Sequence, residues 1–179
     1  MDPAAGYILK EVAVALERIP AKSIATCIEM IMEARRTFIF GVGRSGLVGQ
    51  AFAVRLVQLG LDVHFVGDTT TPIVQDNDLL IAISNTGETM SAVQTANIVR
   101  RLGASVIVIT GRENSKLAHA ANLLIIVNEP SDKSKSLQAP LGTIFEDGAI
   151  IFLDGLIPLL MDKLKQTEKD MRARHAIWV

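Results

Sequence analysis

The chain has 179 residues, of which 49% are hydrophobic and 21% are charged, enough to bury the core of one domain but not of two. Its 18 basic and 19 acidic residues leave a formal net charge of −1, and no cluster of Lys or Arg forms the basic stripe typical of nucleic-acid binding. We therefore expect a single soluble domain that does not bind nucleic acid.

Cysteine content and hydropathy indicate the cellular compartment and whether the chain needs a metal or a membrane. The single cysteine, Cys27, cannot form an internal disulfide, and no Cys/His spacing typical of a structural metal site occurs. The most apolar stretch, residues 148–161, is shorter than the roughly 20 residues that span a bilayer. Residues 1–11 lack the basic start and apolar run of a secretory signal. These features predict a cytoplasmic protein that requires neither a metal nor a membrane.

Taken in chain order, the apolar periodicity predicts helices alternating with short strands. Residues 4–34 repeat apolar side chains at intervals of three and four and divide at Pro20, which indicates two amphipathic helices. β-Branched and aliphatic runs then predict five strands, at residues 37–40, 62–66, 78–83, 105–110 and 123–127. The helical patterns between them cover residues 47–59, 90–102 and 116–120.

Strands that are nearly continuous runs of Ile, Val and Leu are typical of a parallel sheet covered on both faces. We therefore predict an α/β fold, a three-layer sandwich in which helices flank a five-stranded parallel sheet. Residues 128–139 are rich in Ser, Lys and Asp and predict a loop near the site. A long helix over 142–165, bent at Pro158, is apolar on too many sides to face water and predicts burial against another subunit.

Two segments rich in glycine and hydroxyl groups, 41–46 and 84–89, each follow a predicted strand and precede a predicted helix. Both should lie at the carboxyl edge of the sheet, where open α/β folds bind ligands. The unpaired N–H groups and the positive dipole at a helix start favour a phosphate, and hydroxyls donate further hydrogen bonds. The residues predicted to bind a phosphorylated metabolite are Gly43, Arg44, Ser45, Ser84, Asn85, Thr86, Gly87, Glu88 and Thr89.

Two other interpretations compete with a phosphate site. The Ser and Thr residues could merely cap helices, although two such segments offer more donors than capping requires. Gly41, Gly43 and Gly46 also match the dinucleotide-binding fingerprint, with Asp68 at the end of the next strand. A nicotinamide site, however, leaves the second segment without a role, and the chain is too short for a separate substrate domain. We therefore favour the phosphate site.

These segments resemble the sugar isomerase (SIS) domain family, whose members hold phosphosugars with a glycine-serine loop and a Ser/Thr-rich loop. More narrowly, the chain resembles the 6-phospho-3-hexuloisomerase branch of that family. One departure is Asn85-Thr86, where the family usually has Gly-Ser. The resemblance rests on Gly-Arg-Ser-Gly-Leu-Val at 43–48, Thr-Thr-Thr-Pro at 69–72, Ser-x-x-Gly-Glu-Thr at 84–89, Pro-Leu-Gly-Thr-x-Phe-Glu-Asp at 140–147 and Met-Arg-x-Arg-His-Ala at 171–176.

The resemblance implies one SIS domain over residues 1–179, with a core at about 30–165 and the flavodoxin-like doubly wound arrangement. It implies isomerisation of D-arabino-hex-3-ulose 6-phosphate to fructose 6-phosphate through an enediol, a step of the ribulose monophosphate route of formaldehyde fixation, without a cofactor. It assigns proton transfer to Glu146 and a second catalytic role to His175. The latter would reach the site from a neighbouring subunit of a homotetramer or dimer.

Simpler alternatives remain open for each of these assignments. Glu146 could only interact with the dipole of its own helix, and His175 could simply be exposed near the end of the chain. The domain could be a non-catalytic phosphosugar-binding module, like the SIS domains of transcriptional regulators. It could also be an isomerase of another phosphosugar, such as a pentose or heptose phosphate.

Overall fold

The computed structural model describes residues 2–177, which form seven α-helices, one 3₁₀ turn and five strands. The strands are β1 Thr37–Gly41, β2 Val63–Phe65, β3 Leu79–Ile83, β4 Ser105–Thr110 and β5 Leu123–Ile126. The helices are α1 Pro3–Glu17, α2 Ala21–Glu33, α3 Arg44–Gln58, α4 Met90–Arg101, α5 Lys133–Gln138, α6 Thr143–Leu164 and α7 Glu168–Ala173. The 3₁₀ turn covers Ala118–Ala120.

All five strands run parallel in the order β2-β1-β3-β4-β5. This is the flavodoxin-like doubly wound order, in which the direction of strand addition reverses between β1 and β3. Strands β1 and β3 pair along their whole length and end together, with Gly41 opposite Ile83. The predicted α/β sandwich with a five-stranded parallel sheet is therefore confirmed.

Alternate strand residues face two separate hydrophobic cores. Ile39 and Ile81 belong to the larger core with side chains from α2, α3 and α6, whereas Phe38 and Leu80 face α4 and the 3₁₀ turn. All four side chains are fully buried, and burying one such side chain contributes roughly 1.5–3 kcal/mol. Because both faces of the central strands are covered, their sequences show uninterrupted apolar runs instead of alternation.

Two predictions of local structure need correction. Residues 128–139, predicted to form a loop, contain helix α5, whose N-cap Asp132 accepts a hydrogen bond from the backbone N–H of Lys135 at 3.0 Å. Helix α3 begins at Arg44 instead of residue 47, because Gly43 takes a φ of 59° as the N-cap and the helix starts directly from the glycine turn. Both corrections concern segments that border the carboxyl edge of the sheet.

Helix α6 is apolar on several sides, but other helices of the same chain cover it. Helices α1, α2 and α3 pack against it, and only Ile151 and Leu159 remain large, exposed apolar side chains, each 46% exposed. Pro158 lies within the helix, which is continuous from end to end. The composition of α6 therefore does not by itself require another subunit. Between residues 2 and 177 no helix combines the length and hydropathy needed to cross a membrane.

Candidate functional site

The two predicted binding loops meet at the carboxyl edge of the sheet. They follow β1 and β3, which end side by side at the point where strand order reverses. Between them lies a cavity of about 120 Å³, the inner cavity. Its lining residues are Val42, Ser45, Ile83, Ser84, Asn85, Thr86, Thr89 and Ala92. Five of the nine predicted binding residues are thus brought together around one small space.

Close backbone contact explains the glycines of the first loop. A Cβ on Gly41 would lie 2.8 Å from the backbone nitrogen of Gly46, and a Cβ on Gly46 would lie 2.7 Å from the carbonyl oxygen of Gly41. The lack of side chains at both positions lets the chain turn sharply from β1 into α3. Ser45, in the first turn of α3, is consequently buried against the inner cavity. The N–H groups at a helix start lack intrahelical partners and favour an anion there.

Ser84 and Thr89 face each other across the second loop, with their hydroxyl oxygens 3.2 Å apart. One hydrogen bond between two hydroxyls uses one of their two hydrogens, so the other can be donated to a ligand. Thr89 is the N-cap residue of α4, yet its side chain makes no capping hydrogen bond. Helix capping therefore does not account for Thr89, and the pair is available to bind an anion.

Gly87 and Glu88 fix the shape of the second loop and do not line the inner cavity, whereas Thr86 does both. Gly87 has a φ of +64° and contacts Ser115 so closely that a Cβ would lie 2.1 Å from the serine Oγ. Glu88 accepts a hydrogen bond from the backbone N–H of Lys116 at 3.1 Å and pairs with its Nζ at 3.0 Å. These contacts with Lys116 lower the pKa of Glu88. Thr86 lines the inner cavity and also accepts a bond from the N–H of Glu88 at 3.2 Å.

Arg44 and Glu146 form an ion pair between the starts of α3 and α6, where Arg44 Nε donates to Glu146 Oε2. The carboxylate side chain is only 12% exposed, whereas the arginine side chain is 63% exposed. The hydrogen bond to Glu146 raises the pKa of Arg44. Ion pairs with an exposed partner contribute roughly 0–1 kcal/mol, so little free energy opposes exchange of Arg44 for a ligand.

Asn85 connects the second loop to the start of α6. Its backbone carbonyl accepts a hydrogen bond from the N–H of Gly111 at 3.0 Å, and its side-chain Nδ2 donates to Glu129 Oε2 at 3.1 Å. A Cβ on Gly142 would lie 3.0 Å from Asn85 Nδ2 and 3.4 Å from Glu146 Oε1. Asn85 therefore extends from the inner cavity to the neighbourhood of the predicted catalytic carboxylate.

A second space of about 480 Å³, the outer cavity, adjoins the inner cavity and shares Asn85 and Thr86 with it. Its remaining lining residues are Gly111, Arg112, Glu129, Pro130, Ser131, Asp132, Lys135, Ser136 and Leu141. None of these was among the predicted site residues, because all except Leu141, which belongs to the Pro-Leu-Gly segment at 140–147, lie outside the motifs that carry the resemblance. The polar composition of residues 128–139 was the only sequence signal that this segment lies near the site.

His175 lies far from Glu146 within one chain. It is exposed, its Nδ1 is 2.9 Å from the carbonyl oxygen of Ala176, and it borders a different cavity together with Gln58. Arg44 and Gln58 mark the two ends of α3, which at 1.5 Å per residue lie roughly 20 Å apart. The structure therefore does not bring the two predicted catalytic residues together in a single copy of the chain.

Other candidate reactive groups do not extend the site. Burial raises the pKa of the Cys27 thiol to about 12, so it stays protonated at neutral pH and is a poor nucleophile. Within the described part of the chain, no group of three His, Cys, Asp or Glu side chains is placed to hold a metal ion.

Known proteins that resemble the chain identify its family. The model of the SIS domain family matches residues 30–153. The chain is 41% identical over 148 residues to the 3-hexulose-6-phosphate isomerase of Methanocaldococcus jannaschii, a match that covers 83% of this chain and 79% of that protein. It is 40% identical over 151 residues to a protein of the same name from Methylomonas aminofaciens, covering 83% of each chain.

The fold matches a solved structure over nearly its full length. A crystal structure of a Methanococcus jannaschii protein, from which a molecular function of 3-hexulose-6-phosphate isomerase was inferred, superposes with a TM-score of 0.87 at 33% identity. The superposition covers 96% of this chain and 97% of that one. Sequence and fold agree on one assignment: the chain belongs to the SIS domain family.

Proposed function

We propose that the chain is a sugar-phosphate isomerase that converts D-arabino-hex-3-ulose 6-phosphate to fructose 6-phosphate. The observation that carries the proposal is the position of Glu146, a carboxylate 12% exposed and paired with Arg44 beside a cavity lined by hydroxyl groups. Two relatives at about 40% identity that are named 3-hexulose-6-phosphate isomerase support this substrate.

The inner cavity would hold the 6-phosphate. Ser45, Ser84 and Thr89 line it from two loops and present hydroxyl donors, and the start of α3 adds backbone N–H groups and a positive dipole. Hydrogen bonds to a charged group contribute roughly 1.5–3 kcal/mol each. A phosphate bound there anchors the carbon chain so that the reacting carbons pass Asn85 toward Glu146.

Glu146 would act as the base that moves a proton between two carbons. In the hexulose the ketone is at C3, so Glu146 removes the proton from C2, the electrons form a C2=C3 double bond, and negative charge develops on O3. Return of the proton to C3, with transfer of the O2 proton to O3, leaves the ketone at C2 of fructose 6-phosphate. A positioned base contributes roughly 10²- to 10⁴-fold in rate. Because no electrons enter or leave the substrate, this reaction requires no cofactor.

Arg44 would stabilise the oxygen on which charge develops. Its guanidinium already contacts the carboxylate oxygen of Glu146, so it lies where the enediolate would form. As Glu146 accepts the proton it loses its negative charge, and the arginine then interacts more favourably with the substrate oxygen. Donors placed in advance at such an oxygen contribute roughly 10²- to 10³-fold.

The working assembly would be a homotetramer or dimer in which His175 of a neighbouring copy completes the site. Helix α3 carries an exposed apolar stripe at helical spacing, formed by Leu47, Ala51 and Val54, in which the leucine is 64% and the valine 55% exposed. This stripe begins within one turn of Ser45. Because His175 borders a cavity at the Gln58 end of α3, and the two ends of that helix lie roughly 20 Å apart, a shared site requires such an interface.

Subunit complementation and sedimentation test the shared site. Glu146→Gln and His175→Ala should each be inactive alone, and mixed oligomers should regain activity because some sites combine one intact residue from each variant. Val54→Lys should shift sedimentation toward the monomer and reduce turnover. A wild-type monomer with full activity would refute the shared site, as would a lack of recovery in verified mixed oligomers.

The reaction itself is tested by supplying hex-3-ulose 6-phosphate and coupling fructose 6-phosphate formation to glucose-6-phosphate isomerase and an NADP-dependent dehydrogenase. We expect enzyme-dependent reduction of NADP. Consumption of arabinose 5-phosphate or sedoheptulose 7-phosphate in its place would show an isomerase of another phosphosugar. Binding of these compounds with no turnover of any would indicate a non-catalytic phosphosugar-binding module.

A further inference from the structure

The outer cavity contains a polar network that the proton transfer does not use. Glu129 Oε2 accepts hydrogen bonds from Asn85 Nδ2 at 3.1 Å and from Lys135 Nζ at 2.8 Å. The side chains of Glu129 and Lys135 are 12% and 25% exposed. The other carboxylate oxygen, Glu129 Oε1, is buried and has no hydrogen-bond partner among residues 2–177. Two donors thus converge on one oxygen while the other has none.

An ionised carboxylate accepts on both oxygens, and a buried acceptor without a donor is costly. Proteins rarely leave such an atom inside a structure for packing alone. Glu129 lines the outer cavity, so a rotation of its carboxylate would present Oε1 to a hydroxyl bound there. The carboxylate is therefore suited to accept a hydrogen bond from a ligand.

The outer cavity suits a neutral, hydroxyl-bearing chain. Two cationic side chains, Arg112 and Lys135, balance two anionic ones, Glu129 and Asp132, so the lining carries no formal net charge. Serine hydroxyls of the lining, Ser131 and Ser136, add groups that both donate and accept. A second phosphate would gain no net attraction there, whereas the alternating donors and acceptors of a sugar would find partners.

The position of the cavity agrees with that chemistry. It shares Asn85 and Thr86 with the inner cavity, so a chain anchored by phosphate in one continues directly into the other. Because a carboxylate only accepts hydrogen bonds, Glu129 also fixes the Asn85 amide with Nδ2 toward itself. The amide oxygen then faces Gly111, where a Cβ would lie 2.4 Å from Asn85 Oδ1. Glu129 thereby positions the side chain that separates the two cavities.

We propose that the outer cavity binds the hydroxyl-bearing end of the phosphosugar, and that Glu129 is the residue that selects a monophosphate whose far end is hydroxylated over one with a second phosphate. The proposal rests on the proposed function, since it assumes a phosphosugar anchored in the inner cavity. It assigns Glu129 to ligand recognition at the end of the substrate remote from the 6-phosphate.

Glu129→Gln tests this assignment because it preserves size but removes the charge and leaves Lys135 unpaired. We expect KM for hex-3-ulose 6-phosphate to rise about tenfold, as for loss of one charge-assisted hydrogen bond. Inhibition by inorganic phosphate, which reports on the inner cavity, should change less than about twofold. Inhibition by fructose 1,6-bisphosphate should strengthen about tenfold, because the outer cavity becomes positively charged.

Two further variants separate recognition from folding. Lys135→Met removes the opposite charge and should weaken fructose 1,6-bisphosphate inhibition, the reverse of Glu129→Gln. Glu113→Gln is the matched control, since Glu113 is exposed, does not line the outer cavity and makes no ion pair among residues 2–177. It should change none of the three constants. A uniform loss toward all ligands, or no change in the bisphosphate constant, would overturn the proposal.

Calorimetry distinguishes failure of this inference from failure of the proposed reaction. The dissociation constants of fructose 6-phosphate, fructose 1,6-bisphosphate and inorganic phosphate are measured for the wild type and each variant. If the wild type does not isomerise the hexulose yet Glu129→Gln inverts the preference between mono- and bisphosphate, the reaction is wrong and the subsite stands. If the wild type isomerises the hexulose but substitution of Glu129 or Lys135 leaves the preference between mono- and bisphosphate unchanged, the proposed reaction is retained and the proposed subsite is wrong.

Discussion

Two carboxylates bound by arginine lie at opposite edges of the sheet and differ in how completely they are paired. At the amino edge, Asp78 precedes β3, is fully buried, and accepts hydrogen bonds from Arg35, Arg36 and the backbone N–H of Gln75. At the carboxyl edge, Glu146 has one arginine partner, and that partner is largely exposed.

We propose that this difference separates a structural ion-pair network at Asp78 from a reactive one at Glu146. Burial alone would raise the pKa of Asp78, but the hydrogen bonds from Arg36, Arg35 and Gln75 outweigh it and lower the pKa below its usual value. Such a carboxylate has no capacity left for a ligand. Glu146 keeps a replaceable partner and lies near Asn85 and the inner cavity, so a substrate can take part in its hydrogen bonding.

The largest effect should come from Glu146→Gln, which we expect to lower kcat by roughly 10²- to 10⁴-fold because the base is lost. The free energy of unfolding should change by less than about 1 kcal/mol, since the pair with exposed Arg44 contributes little. Turnover by the coupled assay and urea unfolding give the two numbers. Asp154→Asn, an exposed position on the same helix, serves as the control, and near-normal turnover of Glu146→Gln would exclude it as the base.

Asp78→Asn should show the opposite pattern. Removing one partner of a buried charged network leaves the remaining charges uncompensated, and we expect the free energy of unfolding to fall by about 3 kcal/mol. The kcat of the folded protein should be unchanged. Urea unfolding of Asp78→Asn is compared with that of Asp76→Asn, an exposed neighbour expected to stay within about 0.5 kcal/mol of wild type. Equal free energies of unfolding for Asp78→Asn and Asp76→Asn would contradict a structural role for the Asp78 network.

Ser84→Ala tests the inner cavity with a smaller effect. Loss of one hydroxyl from the Ser84–Thr89 pair should raise both KM and the inhibition constant of inorganic phosphate about tenfold, the value of one hydrogen bond to a charged group. Steady-state kinetics with phosphate as a competitive inhibitor measure both constants. Ser91→Ala, exposed on α4, should leave both at the wild-type value. If Ser84→Ala does the same, the phosphate lies elsewhere.

The smallest effect should be a difference in acid sensitivity. Because the pKa of Asp78 is lowered by folding, its stabilising contribution is complete above the unfolded value of about 4 and disappears as pH falls below that value. Urea unfolding from pH 6 to pH 2 should therefore show a shallower decline for Asp78→Asn than for wild type. Glu88→Gln should keep the wild-type slope, because the pair of Glu88 with Lys116 is exposed and screened. Parallel curves for all three proteins would contradict this assignment.

Local sequence patterns were sufficient to predict the sheet and the two loops, since apolar runs and glycine turns act over a few residues. They could not reveal contacts between distant segments. Arg44 and Glu146 are 102 positions apart, and Asn85 and Glu129 are 44 apart, so only the folded chain brings each pair together. Helix α5 was missed because five of its six residues are polar, so it has no apolar face and depends on the cap at Asp132.

The inner cavity is lined by loops from two adjacent strands, so a ligand bound there should raise the melting temperature of the protein. A ligand that contacts both loops binds only the folded state and not the unfolded chain. At a free concentration of 100 times its dissociation constant, it therefore adds about 2.7 kcal/mol to the free energy of unfolding. For a domain of this size that corresponds to an increase in melting temperature of roughly 5–10 °C. A panel of sugar phosphates can thus be ranked by thermal shift independently of turnover.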